Sequence, residues 1–514
     1  MIAALLAQVS QEPAERLEPL RLPNVEYSAM VPHLILLGAP LLLLLVASLV
    51  RTRPRAGVYA TFTALAGTAA GVAAWLKWRE ILDLPDGQQG VRAVAEALVV
   101  DGFACFLMIV IAVAVVLGAL LADAYLRREG LDGPEFYVLM MLSAAGGLFM
   151  ATANDLIVLF LGLEILSIAL YILTGYHRRR AESREAAMKY FILGAFSSAL
   201  FLYGIALIYG ATGSTNLVEI ATFLSRNTLT GEGLLLAGLM LLLVGLGFKV
   251  AAVPFHAWTP DVYQGAPTPV TGFMAAAAKA AGFAGLLRIF FSTFGAHQVD
   301  WQPLVWVLAV LTMLVGSVLA LVQSDIKRML AYSSISHAGY VLIGLQAASE
   351  RGIAGSLYYL LAYTFMVVGS FAIVTVVGRK GDSEHDLDHY RGLATRRPVM
   401  ALAFTILLMA QAGIPFTTGF LAKFYVIGAA VAAKSYALAV IGMVSAVIAA
   451  FFYLRVIVFM YTPPEEDAAP SPRLRLPFGA GLALGIAVLF TLAAGIVPQP
   501  VIQFARQASE RLLF

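Results

Sequence analysis

Phe248-Lys249-Val-Ala-Ala-Val253-Pro254-Phe-His256-Ala-Trp258-Thr-Pro260-Asp261 closes one apolar run, and Gly265-Ala-Pro267-Thr-Pro269 opens the next. Proline removes a backbone donor and clashes with the preceding turn, so no continuous membrane helix tolerates this stretch. The residues before it, from 233 to 253, and after it, from 269 to 294, are apolar enough to lie in a bilayer. Unwound backbone at that depth is tolerated only where protein buries it or it lines a cavity. A second break interrupts the run from 398 to 431, at Gly413-Ile-Pro415-Phe-Thr417-Thr418-Gly419. Discontinuous helices in corresponding positions of two halves point to an ion pathway near mid-membrane.

The composition agrees. Of 514 residues, 60% are hydrophobic and 13% charged, and the mean hydropathy is +0.85, so the membrane is the chain's solvent. The net charge of +3 is small and its basic residues are scattered in short clusters, which argues against a nucleic-acid partner. Cys105 is the single cysteine and reads as a small buried apolar residue, leaving no thiolate set for zinc or an iron-sulfur cluster. No Walker loop or dinucleotide fingerprint is present. If the chain takes part in redox chemistry, partners carry the electrons.

Apolar runs of about 20 residues, the length that spans a hydrocarbon core, recur near 31–50, 57–76, 100–122, 135–152, 154–176, 186–210, 233–253, 269–294, 303–323, 329–346, 353–377, 398–431, 436–461 and 475–496. The expected fold class is an all-α polytopic membrane protein of about fourteen transmembrane helices, two of them discontinuous. Basic residues crowd the loops after odd-numbered helices: Arg51, Arg53, Arg55; Arg127, Arg128; Arg178, Arg179, Arg180, Arg184; Lys327, Arg328; Arg379, Lys380, Arg391, Arg396 and Arg397. By the positive-inside rule those loops are cytoplasmic, and both termini are expected on the periplasmic side of a cell membrane. The first residues, Met1 to about Val9, lack a basic leader and soon meet Glu12, Glu15, Arg16 and Glu18, so they do not read as a cleaved signal peptide.

A weak internal repeat divides the chain into 1–130 (helices 1 to 3), 131–297 (helices 4 to 8), 298–462 (helices 9 to 13) and 463–514 (helix 14 and tail). Lys249 and Lys423, each beside a break, differ by 174 positions (423 minus 249). A similar shift pairs Glu164 with His337 and Lys279 with Arg455. Five helices separate the members of each pair, and that odd number makes the two repeats inverted.

Charges inside membrane helices cost roughly 2.5 kcal/mol or more each and are functional candidates by default. Glu164 lies mid-span, where the competing reading is a protonated carboxyl bonded to a neighbouring helix. Lys249 either snorkels or faces the interior beside its break. Lys279, among Ala275 to Gly282, sits where small residues let helices approach closely, and desolvation suits a lysine to proton exchange. Lys423 is too deep to snorkel easily. His337 reads equally as a packed neutral ring or a proton shuttle, and Lys189 equally as an interfacial anchor or a relay. Arg288 and Arg455 keep their protons and read as structural. His256 and Asp261 either gate the broken segment or tie it down, with no metal-ligand spacing between them.

The segment from Phe248 to Thr271, with Lys327-Arg-Met-Leu-Ala-Tyr-Ser-Ser-Ile-Ser-His337-Ala-Gly-Tyr340, resembles the antiporter-like membrane subunits of respiratory complex I, the proton-pumping NADH:quinone oxidoreductase. The likeness covers roughly 100 to 461, and Asp261 to Pro267 together with a lysine at 423 resemble the N-type branch over its M and L sisters. This resemblance implies two inverted five-helix repeats. It also implies roles: Glu164 and Lys249 as a switching pair, Lys279 as the central lysine, Lys423 as the terminal one, Lys189 and His337 as the helix-six and helix-ten members of the pathway. NADH, FMN, iron-sulfur clusters and quinone would belong to partner subunits, with no cofactor or metal in this chain. The implied partners are the antiporter-like subunits M and L, the small subunits K, J and A, and lipids.

The expected function is therefore that of a non-redox subunit of a proton-translocating oxidoreductase, coupling quinone reduction elsewhere to proton transfer along Glu164, Lys249, Lys279, His337, Lys423 and Lys189. Two alternatives stand beside it: a secondary cation/proton antiporter, disfavoured because a sodium site wants carboxylates and carbonyls, and an assembly scaffold whose charges lock helices together.

Overall fold

The computed structural model describes residues 25–50, 55–85, 89–227, 231–463 and 475–512. The leader reading at 1–18 and the basic residues Arg51 and Arg53 lie outside them.

The helices, in chain order, are α1 (Tyr27–Leu49), α2 (Val58–Leu82), α3 (Gly102–Glu129), α4 (Pro134–Thr152), α5 (Leu156–Thr174), α6 (Ala181–Thr212), α7a (Gly233–Val250) and α7b (Trp258–Gly265), α8 (Thr268–Thr293), α9 (Gln298–Leu321), α10 (Ile326–Gln346), α11 (Glu350–Val377), α12a (Pro398–Ala412) and α12b (Thr418–Ala432), α13 (Tyr436–Tyr461) and α14 (Phe478–Ile496). Among the described residues twelve helices are long and apolar enough to cross a membrane. The more polar α10 and the divided α12 add two, giving the fourteen expected. Two short amphipathic helices, Leu217–Arg226 and Gln499–Glu510, and an antiparallel hairpin, β1 (Gly90–Ala93) with β2 (Leu98–Asp101), accompany them.

Helix ends carry local signals. Asp101, Asp155, Asn216, Asp325, Ser349 and Thr417 each accept a backbone N–H at a helix start, satisfying donors that have no partner within the helix. Within the bundle, α8 and α11 are the most enclosed: the whole apolar window of each is buried. Large apolar side chains of α1, α6 and α13, such as Leu41, Phe196 and Val447, instead face outward, as a lipid-facing surface requires.

The repeat is visible in the backbone. Asp155 pairs with Asn216, and Asp325 with Asp386, as isolated antiparallel bridges, and 325 minus 155 equals 386 minus 216, a shift of 170. Leu156 N donates to Thr215 O and Leu217 N to Asn154 O, while Ile326 N donates to His385 O and Leu387 N to Ser324 O, the same two bonds 170 residues on. One bridge joins loops that follow even-numbered helices, the other loops that follow odd-numbered ones, so the two halves are inverted.

This register revises the expected pairings. At a shift of 170, Glu164 corresponds to Ser334 and His337 to Ser167. Arg288, not Lys279, matches Arg455: Arg288 caps the end of α4 through Ala151 O at 3.1 Å, and Arg455 caps the end of α9 through Leu321 O at 2.7 Å, with 321 minus 151 again 170. Sequence offsets alone misaligned these pairs because the spacing drifts, and the lysines at 174 overstate the shift that holds between α5 and α10.

Both breaks satisfy their backbone with side chains. At the first, Trp258 Nε1 donates to Phe248 O at 3.0 Å and Val253 N donates to Thr312 Oγ1 at 2.9 Å. At the second, Gly413 takes φ +95°, a conformation L side chains rarely adopt, and Lys423 Nζ donates to the carbonyls of Gln411 and Ala412 at 2.9 and 2.8 Å. Lys249 thus precedes its break while Lys423 follows its own.

Candidate functional site

Lys249, Lys279, His337 and Lys423 are all buried, at 3, 4, 4 and 6% exposure, so none of the three lysines snorkels to the surface. Each is held by oxygen atoms from neighbouring helices, the arrangement an intramembrane cation needs.

Lys249, on the last turn of α7a, donates to Ser167 Oγ on α5 at 2.8 Å and to Tyr190 OH on α6 at 3.4 Å. Its stem lies against Gly282 on α8, three residues beyond Lys279. Glu164, one turn before Ser167, is partly exposed and accepts a hydrogen bond from Ser198 on α6. Among the described residues no ion pair joins Glu164 to Lys249, so in this state the two are held apart by serines that bind each separately.

In α8, two π-turns, Met274–Ala278 and Arg288–Thr293, each adjoin or include a charged residue, and such turns recur where a helix presents a functional group. Lys279 directly follows the first. It donates to the carbonyl of Ser334 on α10 and lies 5.8 Å from the centre of the Tyr363 ring on α11. Tyr363 in turn faces His337, ring centres 4.9 Å apart, so one aromatic ring separates Lys279 from the histidine.

His337 Nδ1 bonds Tyr359 OH at 2.6 Å and Nε2 bonds Tyr453 OH at 3.1 Å. Tyr359 stacks on Tyr340 with centres 6.0 Å apart and planes 13° from parallel. Lys423 Nζ sits 5.1 Å over that Tyr340 ring. Hydroxyls, rings and carbonyls therefore connect Lys279 through His337 to Lys423, while the Lys249 stem packs against α8, the helix that carries Lys279.

Lys189 stands apart. Its side chain is 43% exposed and bridges Glu185 and Asp261, both at 2.7 Å. Asp261 Oδ1 also accepts Arg328 Nη1 at 2.7 Å, and Arg328 bonds Gln264, whose Nε2 reaches Asp325. This network fastens α7b, and with it the first break, to α6 and α10. His256 is half-buried within the break.

The matched family model, NADH:quinone oxidoreductase/Mrp antiporter transmembrane, spans residues 153–449. Over 485 residues the chain is 43% identical to an NADH-quinone oxidoreductase subunit N of Trichlorobacter lovleyi, covering 94% of this chain and 97% of that one. The chain belongs to the NADH-quinone oxidoreductase subunit N family. It is a multi-span membrane protein. A chain of respiratory complex I from Thermus thermophilus superposes with a TM-score of 0.75 at 32% identity, covering 92% of this chain and 98% of that one. A chain of the Mrp complex from a Dietzia species shares the fold, with a TM-score of 0.80 at 21% identity over 95% of this chain and 98% of that one.

Several residues of this subunit N-family chain carry the site without having stood out in the sequence. Ser167, Ser198, Tyr190, Tyr359, Tyr363 and Tyr453 supply its hydroxyls and rings, yet serine and tyrosine are unremarked in membrane helices. Asp382 is another. This fully buried carboxylate, in the loop after α11, accepts Tyr125 OH at 3.1 Å, Arg180 Nη1 at 3.1 Å and Thr268 Oγ1 at 2.6 Å, with Lys327 Nζ at 3.5 Å and His385 Nε2 at 3.0 Å. Burial alone would raise its carboxyl, but Lys327, His385 and Thr268 hold it well below the usual carboxylate range. Its three basic partners, Arg180, Lys327 and His385, lie on one face with the loops it joins, where the sequence showed only a polar turn.

Proposed function

We propose that this chain translocates protons as a membrane-arm subunit of an NADH:quinone oxidoreductase, in the plasma membrane, with both termini on the periplasmic side. The observation that carries the reading is the series of buried groups running from Lys249 through Lys279 and His337 to Lys423, across both inverted repeats, with the partly exposed Glu164 at its start.

In this reading the chain is organised as 1–130, 131–297, 298–462 and 463–514, and carries no redox centre of its own. NADH, FMN, iron-sulfur clusters and quinone reside in partners, and energy arrives through the neighbouring M, L, K, J and A subunits as electrostatic and conformational change. Glu164 and Lys249 act as a switch. When they close, Lys249 is drawn from Ser167 and its positive charge moves away from α8; a nearby cation penalises a charged lysine and its withdrawal favours one, so Lys279 takes a proton. When they open, as the serine-held arrangement represents, Lys279 releases its proton toward His337 and on to Lys423. Lys189 ties the α7b segment at the edge of this route.

The test is proton-to-electron stoichiometry of the assembled complex in sealed vesicles. Lys249→Ala and Lys279→Ala should each lower it. Wild-type stoichiometry in a fully assembled Lys279→Ala variant would overturn the proposal.

A further inference from the structure

Lys249 and Lys279 are joined a second way, through the short helix α7b. Lys249 Nζ reaches Tyr190 OH at 3.4 Å, and Trp258 stacks on the same Tyr190 ring, centres 4.6 Å apart and planes 13° from parallel. The Trp258 indole also donates Nε1 at 3.0 Å to the carbonyl of Phe248, the residue before Lys249. The first residue of α7b therefore grips both a partner of Lys249 and the backbone beside it.

The other end of the link is Tyr263. Its ring lies edge-on to Trp258 at 6.3 Å, and its hydroxyl shares a hydrogen bond with Ser334 Oγ at 3.3 Å. Ser334 is the residue whose carbonyl accepts from Lys279 Nζ. Tyr190, Trp258, Tyr263 and Ser334 are all buried, so a hydrogen bond lost among them has no aqueous substitute. Trp258 and Tyr263 stand about 7.5 Å apart along one helix axis, within an element of eight residues. A hydrogen-bonded helix passes on a displacement that a loop of that length would absorb, and coupling between sites travels through such packed elements where they have two arrangements.

On the proton-translocation reading above, we propose that Trp258 and Tyr263 are positioning residues for Lys279, which hold it for transfer toward His337 while Lys249 occupies its site on Ser167 and Tyr190. With Lys249 there, the Tyr190 stack keeps Trp258 in place, Tyr263 holds Ser334, and Ser334 holds Lys279 Nζ beside the Tyr363 ring, 5.8 Å from its centre. When Lys249 moves to Glu164, Tyr190 loses its ammonium partner and Trp258 follows the end of α7a through its bond to Phe248. Tyr263 then withdraws from Ser334, and α10 no longer presents the carbonyl to Lys279 in the same place. Neither positioning residue carries the proton.

The experiment reads proton-to-electron stoichiometry, NADH turnover and melting temperature of the intact complex, with stoichiometry taken in sealed vesicles. Tyr263→Phe keeps the ring between Trp258 and Phe371 and removes only the bond to Ser334. It should lower stoichiometry, by less than Lys279→Ala does, with turnover and melting temperature near those of wild type. Ser334→Ala removes the other half of that bond and should give the same loss, whereas Ser334→Thr keeps a hydroxyl and should restore the wild-type ratio. The Tyr263→Phe/Ser334→Ala double variant should lose no more than either change alone, as two partners of one interaction do. Trp258→Phe keeps a ring on Tyr190 but drops the bond to Phe248, and should lower stoichiometry without adding to the loss in Tyr263→Phe. Should Tyr263→Phe fail to assemble, Ser334→Ala carries the same test. Wild-type stoichiometry in Tyr263→Phe and Ser334→Ala, beside a lowered one in Lys279→Ala, overturns this inference and leaves the proton-translocation reading standing. Losses that add in the double variant, or that come only with a matching fall in melting temperature, overturn it as well and reduce the two residues to packing. Wild-type stoichiometry in Lys279→Ala overturns instead the reading on which it rests.

Discussion

Lys249 and Gly282 touch: a Cβ on Gly282 would stand 3.3 Å from Lys249 Cγ and 2.8 Å from Val250 Cγ1. The helix that carries Lys279 can lie against α7a only because position 282 has no side chain. Gly282→Ala should therefore displace Lys249 relative to α8, cost about 1 to 3 kcal/mol as overpacking does, and lower proton-to-electron stoichiometry. The matching control is Gly485→Ala on α14, where a Cβ meets nothing within 4 Å; it should leave melting temperature and stoichiometry as in wild type.

Lys423 has two duties that substitution separates. Its ammonium caps the Gln411 and Ala412 carbonyls at the break, next to the negative end of the α12a dipole, and in the proposed route it also exchanges a proton. Lys423→Ala should lower thermal stability by about 1 to 3 kcal/mol, the cost of unsatisfied buried acceptors, and stop transfer. Lys423→Arg keeps a cation that does not release its proton, so it should assemble better than the alanine variant yet pump as poorly. Thermal melting read beside vesicle acidification distinguishes the two.

His337 is positioned by two tyrosines rather than by charge. Tyr359→Phe removes the shorter of its bonds and should slow pumping several-fold, at a stability cost near 1 kcal/mol for a buried neutral hydrogen bond. Tyr363→Phe removes a hydroxyl that does not bond His337 and keeps the ring between Lys279 and His337. Turnover-coupled proton flux should therefore fall more in the first variant than in the second.

Asp382 sets a pH dependence away from the membrane route. Its folded pKa lies below its unfolded value near 3.9, so the stability it supplies is complete above that unfolded value and is lost as pH falls through the lower, folded one. Asp382→Asn should destabilise by about 3 to 5 kcal/mol, since it strands the buried Lys327 charge. The gap in melting temperature between wild type and variant should stay constant from pH 8 to about 5 and narrow only in stronger acid.

Arg288 and Arg455 test the repeat itself. Arg288 holds Asp101 in a two-bond ion pair, at 2.8 and 3.0 Å, as well as the end of α4, whereas Arg455 holds only carbonyls at the end of α9. Both Arg288→Ala and Arg455→Ala should destabilise, and Arg288→Ala by more, because it also leaves the buried Asp101 charge without its guanidinium partner. Chemical denaturation of the purified complex ranks the two.

Legible in the sequence by itself were the membrane class, the number of spans, the two breaks and the lysines set within apolar runs. Each of these is local: a run of some 20 apolar residues, a Pro-rich interruption at 253–269, a Gly413-Ile-Pro415 step, or a charge with no polar neighbour along its own helix. It also indicated an inverted repeat, since an odd number of spans between like segments is countable. The register was beyond it. That Glu164 matches Ser334 and Arg288 matches Arg455 follows from hydrogen bonds between segments about 60 to 190 residues apart. Tertiary structure alone decided which hydroxyls hold each lysine, that Lys189 belongs to a surface network with Asp261, and that Asp382 gathers five segments. The physical reason is that hydropathy and helix breaking act along the chain, whereas the partner of a buried charge is whichever dipole packing brings within about 3 Å of it.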